Sequence, residues 1–236
     1  MPTGLLPLLF DREVTTCEVS LSSPLGELYP EEALALRSAL PRRLLEFRAG
    51  RHCARLALER LGIAAGPLLP SEDRLPLWPA GVVGSISHTG SIENGWCGAA
   101  VASSERVASL GLDAELALPL EPALWSRVLR NEEADLILAT APAERGLIAK
   151  LFFCAKEAAY KCQFPLTRQF LEFQDVSVRL NQRDQSFHAV LERAALPFAA
   201  GTRFSERFVR TPKLFATAVL LDADDPTLTT RPDCAR

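Results

Sequence analysis

The segment GLDAE sets Asp113 and Glu115 two residues apart, and on an extended strand such residues point to the same side. Two carboxylates on one side repel unless a cation lies between them. The pair reads either as a strand end with its acids in water or as part of a divalent-metal site. A third oxygen donor, Glu157, lies in FFCAKEAAYKC (Phe152–Cys162), off the apolar stripe of a helix, with Lys161 one turn later on the same face. As a surface pair these two would contribute only about 0.3–0.5 kcal/mol. The alternative is an acid that binds metal while the lysine meets phosphate oxygens. Magnesium is typically held by one or two carboxylates together with waters and substrate phosphates, so three carboxylates beside clustered lysines suit a pyrophosphate-bearing substrate.

The cations are unevenly placed. Of 22 arginines and four lysines, three lysines (Lys150, Lys156, Lys161) fall within twelve residues, and seven arginines lie between Arg37 and Arg60 against Glu46 and Glu59. The arginine cluster reads either as a solvated helix face or as a basic surface for an acidic partner or a polyphosphate. Arg51 stands apart from the rest. It falls on the stripe made by Leu44, Phe47, Ala54, Leu58 and Leu61, and a charge on an inward face requires a partner. GSISHTG (Gly84–Gly90) adds Ser87 and His88 at the end of a short strand running into a turn, where loops build sites. A lone histidine is more often structural than chemical, but its small neighbours let a bulky anion approach.

These residues must be carried by mixed elements. The spacing predicts a strand over 15–21, a helix opening at Pro30, a longer helix from Leu40, and strands over 82–87, 96–102 and 107–113. It predicts one helix over about 121–140, and then the most regular helix of the chain, from Pro142 to a stop at Pro165. Strand-like runs follow at 175–180, 187–192, 202–209 and 214–221, and the last residues look like a tail. The fold class expected is therefore α+β, with two similar lobes, residues 1–112 and 113–236, each a long helix followed by strands. Regular βαβ alternation, a GxGxxG turn and a Walker loop are all missing, which disfavours Rossmann and P-loop enzymes.

Composition narrows the class. The chain has 236 residues, 48% hydrophobic and 23% charged, with a net charge of -3. That balance excludes general disorder and disfavours a globally basic nucleic-acid binder. Six cysteines without a CxxC pair, and three histidines, lack zinc spacing and suit a reducing cytoplasm. The apolar start is too short for a signal peptide, and no run is long enough to span a membrane.

The order of RHCARLAL, WPAGVVGSISH, GLDAE and FCAKEAAYKCQFPLT resembles the Sfp-type 4′-phosphopantetheinyl transferases, in particular the branch with the enterobactin-synthase component D enzymes. The resemblance covers roughly Arg42 to Leu221. It implies two similar α+β lobes with coenzyme A between them, and transfer of phosphopantetheine from coenzyme A to a serine of an acyl or peptidyl carrier protein. It implies Mg²⁺ (or Mn²⁺) at Asp113, Glu115 and Glu157, with Asp113, Glu157 and Lys161 catalytic. Coenzyme A would meet Arg43, Arg51, Ser87 and His88, with Asp73 and Arg74 near the adenine nucleotide and Leu171 along the pantetheine arm. A cytoplasmic monomer is expected, without nucleic acid or membrane as partner. Arg48 and Arg55 are expected to face an acidic carrier. The rival readings are another metal-dependent phosphoryl hydrolase using the same acids, and a non-catalytic protein that binds coenzyme A or a carrier.

Overall fold

The computed structural model describes residues 4–10 and 13–228. In chain order the elements are β1 (Thr15–Ser20), α1 (Pro30–Ala35), α2 (Pro41–Arg60), β2 (Val82–Thr89), β3 (Trp96–Ser103), β4 (Val107–Leu116), α3 (Trp125–Val128), α4 (Asn131–Leu138), α5 (Pro142–Thr167), β5 (Val176–Asn181), β6 (Ser186–Leu191), β7 (Arg203–Arg210) and β8 (Leu214–Asp222). Strands β1, β3 and β2 form one antiparallel sheet in that order, and a second antiparallel sheet runs β4-β8-β7-β6-β5. This is the expected α+β fold in two lobes: α2 lies on the three-stranded sheet and α5 on the five-stranded one. The division expected at residue 112 falls inside β4, which pairs with β8 in the second sheet, so the sheets change over in the turn before Val107.

Alternation along β3 decides how the lobes meet. Cys97, Ala99 and Val101 pack with α2 residues such as Cys53, Ala54 and Leu58, whereas Trp96, Ala100 and Ala102 join a middle core with Leu110, Leu112 and Ala114 of β4 and Ala216 and Ala218 of β8. A strand buried on both faces has no room for polar residues, which is why WCGAAVA reads as a continuous apolar run.

Strands β2 and β4 run side by side in the same direction, joined by side chains instead of a backbone ladder. The hydroxyls of Ser85, Ser87 and Thr89 accept the backbone N–H groups of Leu112, Ala114 and Leu116 at 3.0, 3.0 and 3.3 Å. Residues at i, i+2 and i+4 share one face of a strand, so GSISHT supplies three hydroxyls at the repeat of the partner's free donors.

Two sequence expectations are corrected. The single helix expected over 121–140 is a short 3₁₀ turn (Pro122–Leu124) followed by α3 and α4, with Leu129 and Arg130 extended between them. The cause is a buried ion pair, Lys156–Glu133 at 2.7 Å. Lys156 Nζ donates to the carbonyls of Val128 and Phe173 at 2.8 and 3.0 Å, while Glu133 accepts the N–H groups of Arg130 and Val178 at 2.8 and 2.7 Å. The bonds to Val128 O and the Arg130 N–H satisfy backbone groups that a continuous helix would have used internally, and those to Phe173 O and the Val178 N–H tie the break to the neighbouring segments. Likewise α5 does not stop at Pro165 but runs on to Thr167. A proline in the last turn removes only one helical donor, and the helix closes at Arg168, whose N–H bonds Phe164 O at 2.9 Å. Of the expected tail, Pro226–Leu228 form a 3₁₀ turn, and residues 229–236 lie outside the described residues.

Candidate active site between the lobes

The site begins where α5 lies against β4. Gly111 allows that approach: a Cβ there would lie 1.9 Å from Ala158 O and 2.6 Å from Cys162 N. Beside it, the Ser109 hydroxyl donates to Cys162 O at 2.6 Å and the Thr217 hydroxyl to Cys154 O at 2.8 Å. The glycine of GLDAE and two hydroxyls thus seat the helix backbone directly on the sheet. The next residue on that face of β4 is Asp113, which meets Lys161 at 2.7 Å.

Asp113 is 4% exposed. Its Oδ1 accepts from Lys161 and from the Ser87 hydroxyl, the latter at 3.1 Å. Its Oδ2 is buried without a hydrogen-bond partner. Glu115, farther along the strand, receives Lys150 at 3.3 Å and the Thr89 hydroxyl at 3.4 Å. Burial raises the Glu115 pKa, and the neighbouring Asp113 raises it further against the pull of Lys150. Glu157 is also pushed up, first by burial and then by Asp113. Burial works against the Lys161 ammonium, but the Asp113 carboxylate outweighs it and lifts its pKa.

The three acids therefore feel one another electrostatically. Among the described residues, however, no three His, Cys, Asp or Glu side chains stand as a ready-made metal shell. The donor set still fits a hard cation: it consists of carboxylate oxygens only, and the orphaned Asp113 Oδ2 is a buried acceptor that costs free energy unless something meets it.

A cavity of about 430 Å³ opens beside this cluster, between α2 and β2 on one side and the end of α5 on the other. Arg43, Arg51, Arg74, His88, Lys161 and Arg168 all line it. Arg51 is 5% exposed, donates through Nε to Leu68 O at 2.6 Å and covers the Phe47 ring at 3.9 Å. It has no carboxylate within ion-pair distance among the described residues. Burial drops its pKa to about 10. A buried guanidinium without a carboxylate partner carries an uncompensated charge. His88 approaches Arg43 at 3.3 Å and Glu46 at 3.8 Å, and its pKa is lowered, first by burial, with Lys161 and Arg43 adding to the effect. A smaller pocket holds Leu171, Lys156 and Glu157, and Tyr160 lines both spaces.

Several expected site residues are placed differently from one another. Ser87 is buried at the seam, with its hydroxyl on Asp113 and Ala114 rather than among the groups lining the larger cavity. Asp73 is half exposed and pairs with Arg168 at 3.0 Å. Lys156, one of the clustered lysines, is the buried structural partner of Glu133. Arg48 and Arg55 do not face outward to a carrier. Arg48 bonds Glu27 and the carbonyls of Leu25 and Gly26, while Arg55 grips the buried Glu32 with contacts of 2.9 and 3.0 Å. Both arginines fasten the segment before α2 onto the helix, a role that spacing on α2 alone does not reveal. Sequence reasoning missed Thr89, whose signal was its place two residues beyond Ser87, and Arg168, which had none.

Two α+β lobes meet with carboxylates at their seam and a cation-lined cavity beside them, a charge distribution that suits an anionic, phosphorylated ligand. Residues 31–102 match the family model of the 4′-phosphopantetheinyl transferase N-terminal domain, and residues 109–209 match that of the 4′-phosphopantetheinyl transferase superfamily. The chain is 38% identical to the 4′-phosphopantetheinyl transferase Svp of Streptomyces mobaraensis over 205 residues, 85% of this chain and 81% of the relative. It is 35% identical to PptT of Mycobacterium tuberculosis, over 74% of this chain and 75% of that one. Against enterobactin synthase component D of Escherichia coli K12 the identity is 31%, over 75% of this chain and 79% of the relative. The chain belongs to the 4′-phosphopantetheinyl transferase superfamily. It is an enzyme that moves phosphopantetheine from coenzyme A to a carrier protein.

Proposed function

We propose that the serine hydroxyl of an acyl or peptidyl carrier protein attacks the pantetheine-bearing phosphorus of coenzyme A, and that 3′,5′-adenosine bisphosphate leaves. Positioning and charge stabilisation supply most of the rate in such a transfer. Glu157 takes the proton from the serine. It is a partly buried carboxylate with a raised pKa and no hydrogen bond or ion pair among the described residues, and that observation carries the assignment: a carboxylate has two oxygens, so one can meet a cation while the other accepts the proton, directly or through a water it orients. Lys161, fixed by Asp113, neutralises charge gathering on the phosphoryl oxygens.

Asp113, Glu115 and Glu157 would hold Mg²⁺, which Mn²⁺ could replace. When bound, the metal supplies charge neutralisation at the pyrophosphate. Arg51, Arg43 and His88 hold the 3′-phosphate, a remote handle whose binding energy orients the reacting end. Arg74 serves the adenine nucleotide, and the Asp73 carboxylate beside it is engaged by Arg168. Leu171 borders the pantetheine arm, which its place in the pocket with Glu157 favours. Ser87 acts from the seam on Asp113. In the basic cluster Arg37 is exposed, and Arg42 stays exposed although it pairs with Glu46; these two would steer an acidic carrier. We assign the enzyme to the cytoplasm as a monomer, a reading that six cysteines without a CxxC pair support.

The test incubates the protein with Mg²⁺, coenzyme A and an apo carrier domain, and then weighs the carrier. A mass gain of one phosphopantetheine is expected. Hydrolysis of coenzyme A with an unmodified carrier would instead reveal a phosphoryl hydrolase. Arg51→Ala should raise KM for coenzyme A far more than KM for dephospho-coenzyme A, and equal effects would remove Arg51 from the 3′-phosphate.

A further inference from the structure

Arg168 closes α5 in the left-handed region, at φ 55 and ψ 21. Glycine or asparagine is the usual choice there, and other side chains add strain. Its side chain nevertheless lines the large cavity. Across from it, the 70–77 loop of the other lobe presents Asp73, whose Oδ2 lies 3.0 Å from Arg168 Nη1. The neighbour of Asp73, Arg74, also has a positive φ, 64, and lines the same cavity. Residues held in sparsely populated backbone regions cluster at ligand clamps.

The partners of the other cavity cations set Arg168 apart. Lys161 is held by Asp113 and Arg43 lies near Glu46, while Arg51 is fixed on Leu68 O. Arg168 alone reaches across to the other lobe's loop, and its ion pair is half exposed on both sides. Such an exposed pair contributes little, and Asp73 takes only one N–H of the fork, so the guanidinium can leave it for a phosphate that accepts two parallel charge-assisted bonds.

We propose that Arg168 is an exchangeable phosphate clamp: it gives up Asp73 for a phosphate at the nucleotide end of coenzyme A, so that Asp73 competes with the substrate for it. The proposal rests on the transferase reading, which places coenzyme A in this cavity. It makes Asp73 an inhibitor of binding rather than a ligand, and that sets the sign of the test.

Calorimetric titration of the full chain with coenzyme A, 3′,5′-adenosine bisphosphate and phosphopantetheine would compare wild type with Arg168→Gln, Asp73→Asn and the double variant. Arg168→Gln should weaken coenzyme A and the bisphosphate by about tenfold, the effect of one charge-assisted contact, and leave phosphopantetheine unchanged. Asp73→Asn should tighten coenzyme A by about two- to threefold, and should have no effect once Arg168 is replaced. Weakening by both single variants to the same extent would show a fixed latch between the lobes and overturn the exchange. So would unchanged binding in Arg168→Gln, or an effect confined to phosphopantetheine. Failure of the wild type to bind coenzyme A at all would count against the transferase reading itself, a result separable from every outcome above. Thermal melts of the variants distinguish these binding effects from loss of fold.

Discussion

Replacing Gly111 with alanine tests whether the close seating of α5 on β4 creates the site. The added methyl would lie 1.9 Å from Ala158 O, while ordinary contact begins near 3.4 Å, so the helix must retreat by about 1.5 Å. Overpacking of this kind costs about 1–3 kcal/mol. The same retreat breaks the buried Ser109–Cys162 bond of 2.6 Å, worth about 0.5–1.5 kcal/mol. It also stretches the 2.7 Å Lys161–Asp113 contact, adding about another 1 kcal/mol. Gly111→Ala should therefore lose about 2.5–5.5 kcal/mol in urea unfolding, out of the ~5–15 kcal/mol available to a domain. Transfer should fall by about a hundredfold even at temperatures where the variant remains folded, because a displacement of about 1 Å at the reacting groups has that effect. The assays are equilibrium urea denaturation followed by tryptophan fluorescence, and single-turnover transfer to an apo carrier. A variant with the wild-type midpoint and rate would refute the reasoning.

Asp113→Asn should lower transfer at least a hundredfold while the circular dichroism spectrum is retained; wild-type transfer would remove Asp113 from the chemistry. Glu133→Gln leaves the Lys156 ammonium buried without its carboxylate and should cost about 3–5 kcal/mol in urea, with a loss below 1 kcal/mol showing that the 128–133 break is held by something else. Glu157 and Glu115 have raised pKa values in the folded chain, so they bind protons more tightly when folded. Their contribution is fully present below the ordinary carboxylate range and is lost as pH rises through the raised values. With metal chelated, the melting temperature should fall between about pH 5 and neutrality. Glu157→Gln should lessen that slope and melt higher than wild type at pH 7, and an unchanged slope would oppose the assignment.

The strand and helix carriers of the site were legible because they follow simple periods. The α5 stripe marked its buried face, and the spacing of Asp113 and Glu115 placed both acids on one strand, where the structure has them within β4. Arg51 on an apolar stripe announced a buried cation before its position against Phe47 and Leu68 was visible. The four motifs together carried the family, since each is local and contiguous. What local pattern could not supply was anything decided by a partner distant in the chain. The break between α3 and α4 depends on Lys156 and Glu133, separated by the rest of α4, a loop and the first half of α5. The fates of Arg48 and Arg55 depend on Glu27 and Glu32, which lie before their helix. Ser87 belongs to the seam because β4 brings unpaired N–H groups alongside β2. Arg168 meets Asp73 only because two lobes face each other across a cavity. Periodicity specifies which face of an element is buried; which polar groups then meet is set by how the faces are stacked, because a buried charge or backbone donor takes whatever partner the tertiary packing brings within reach.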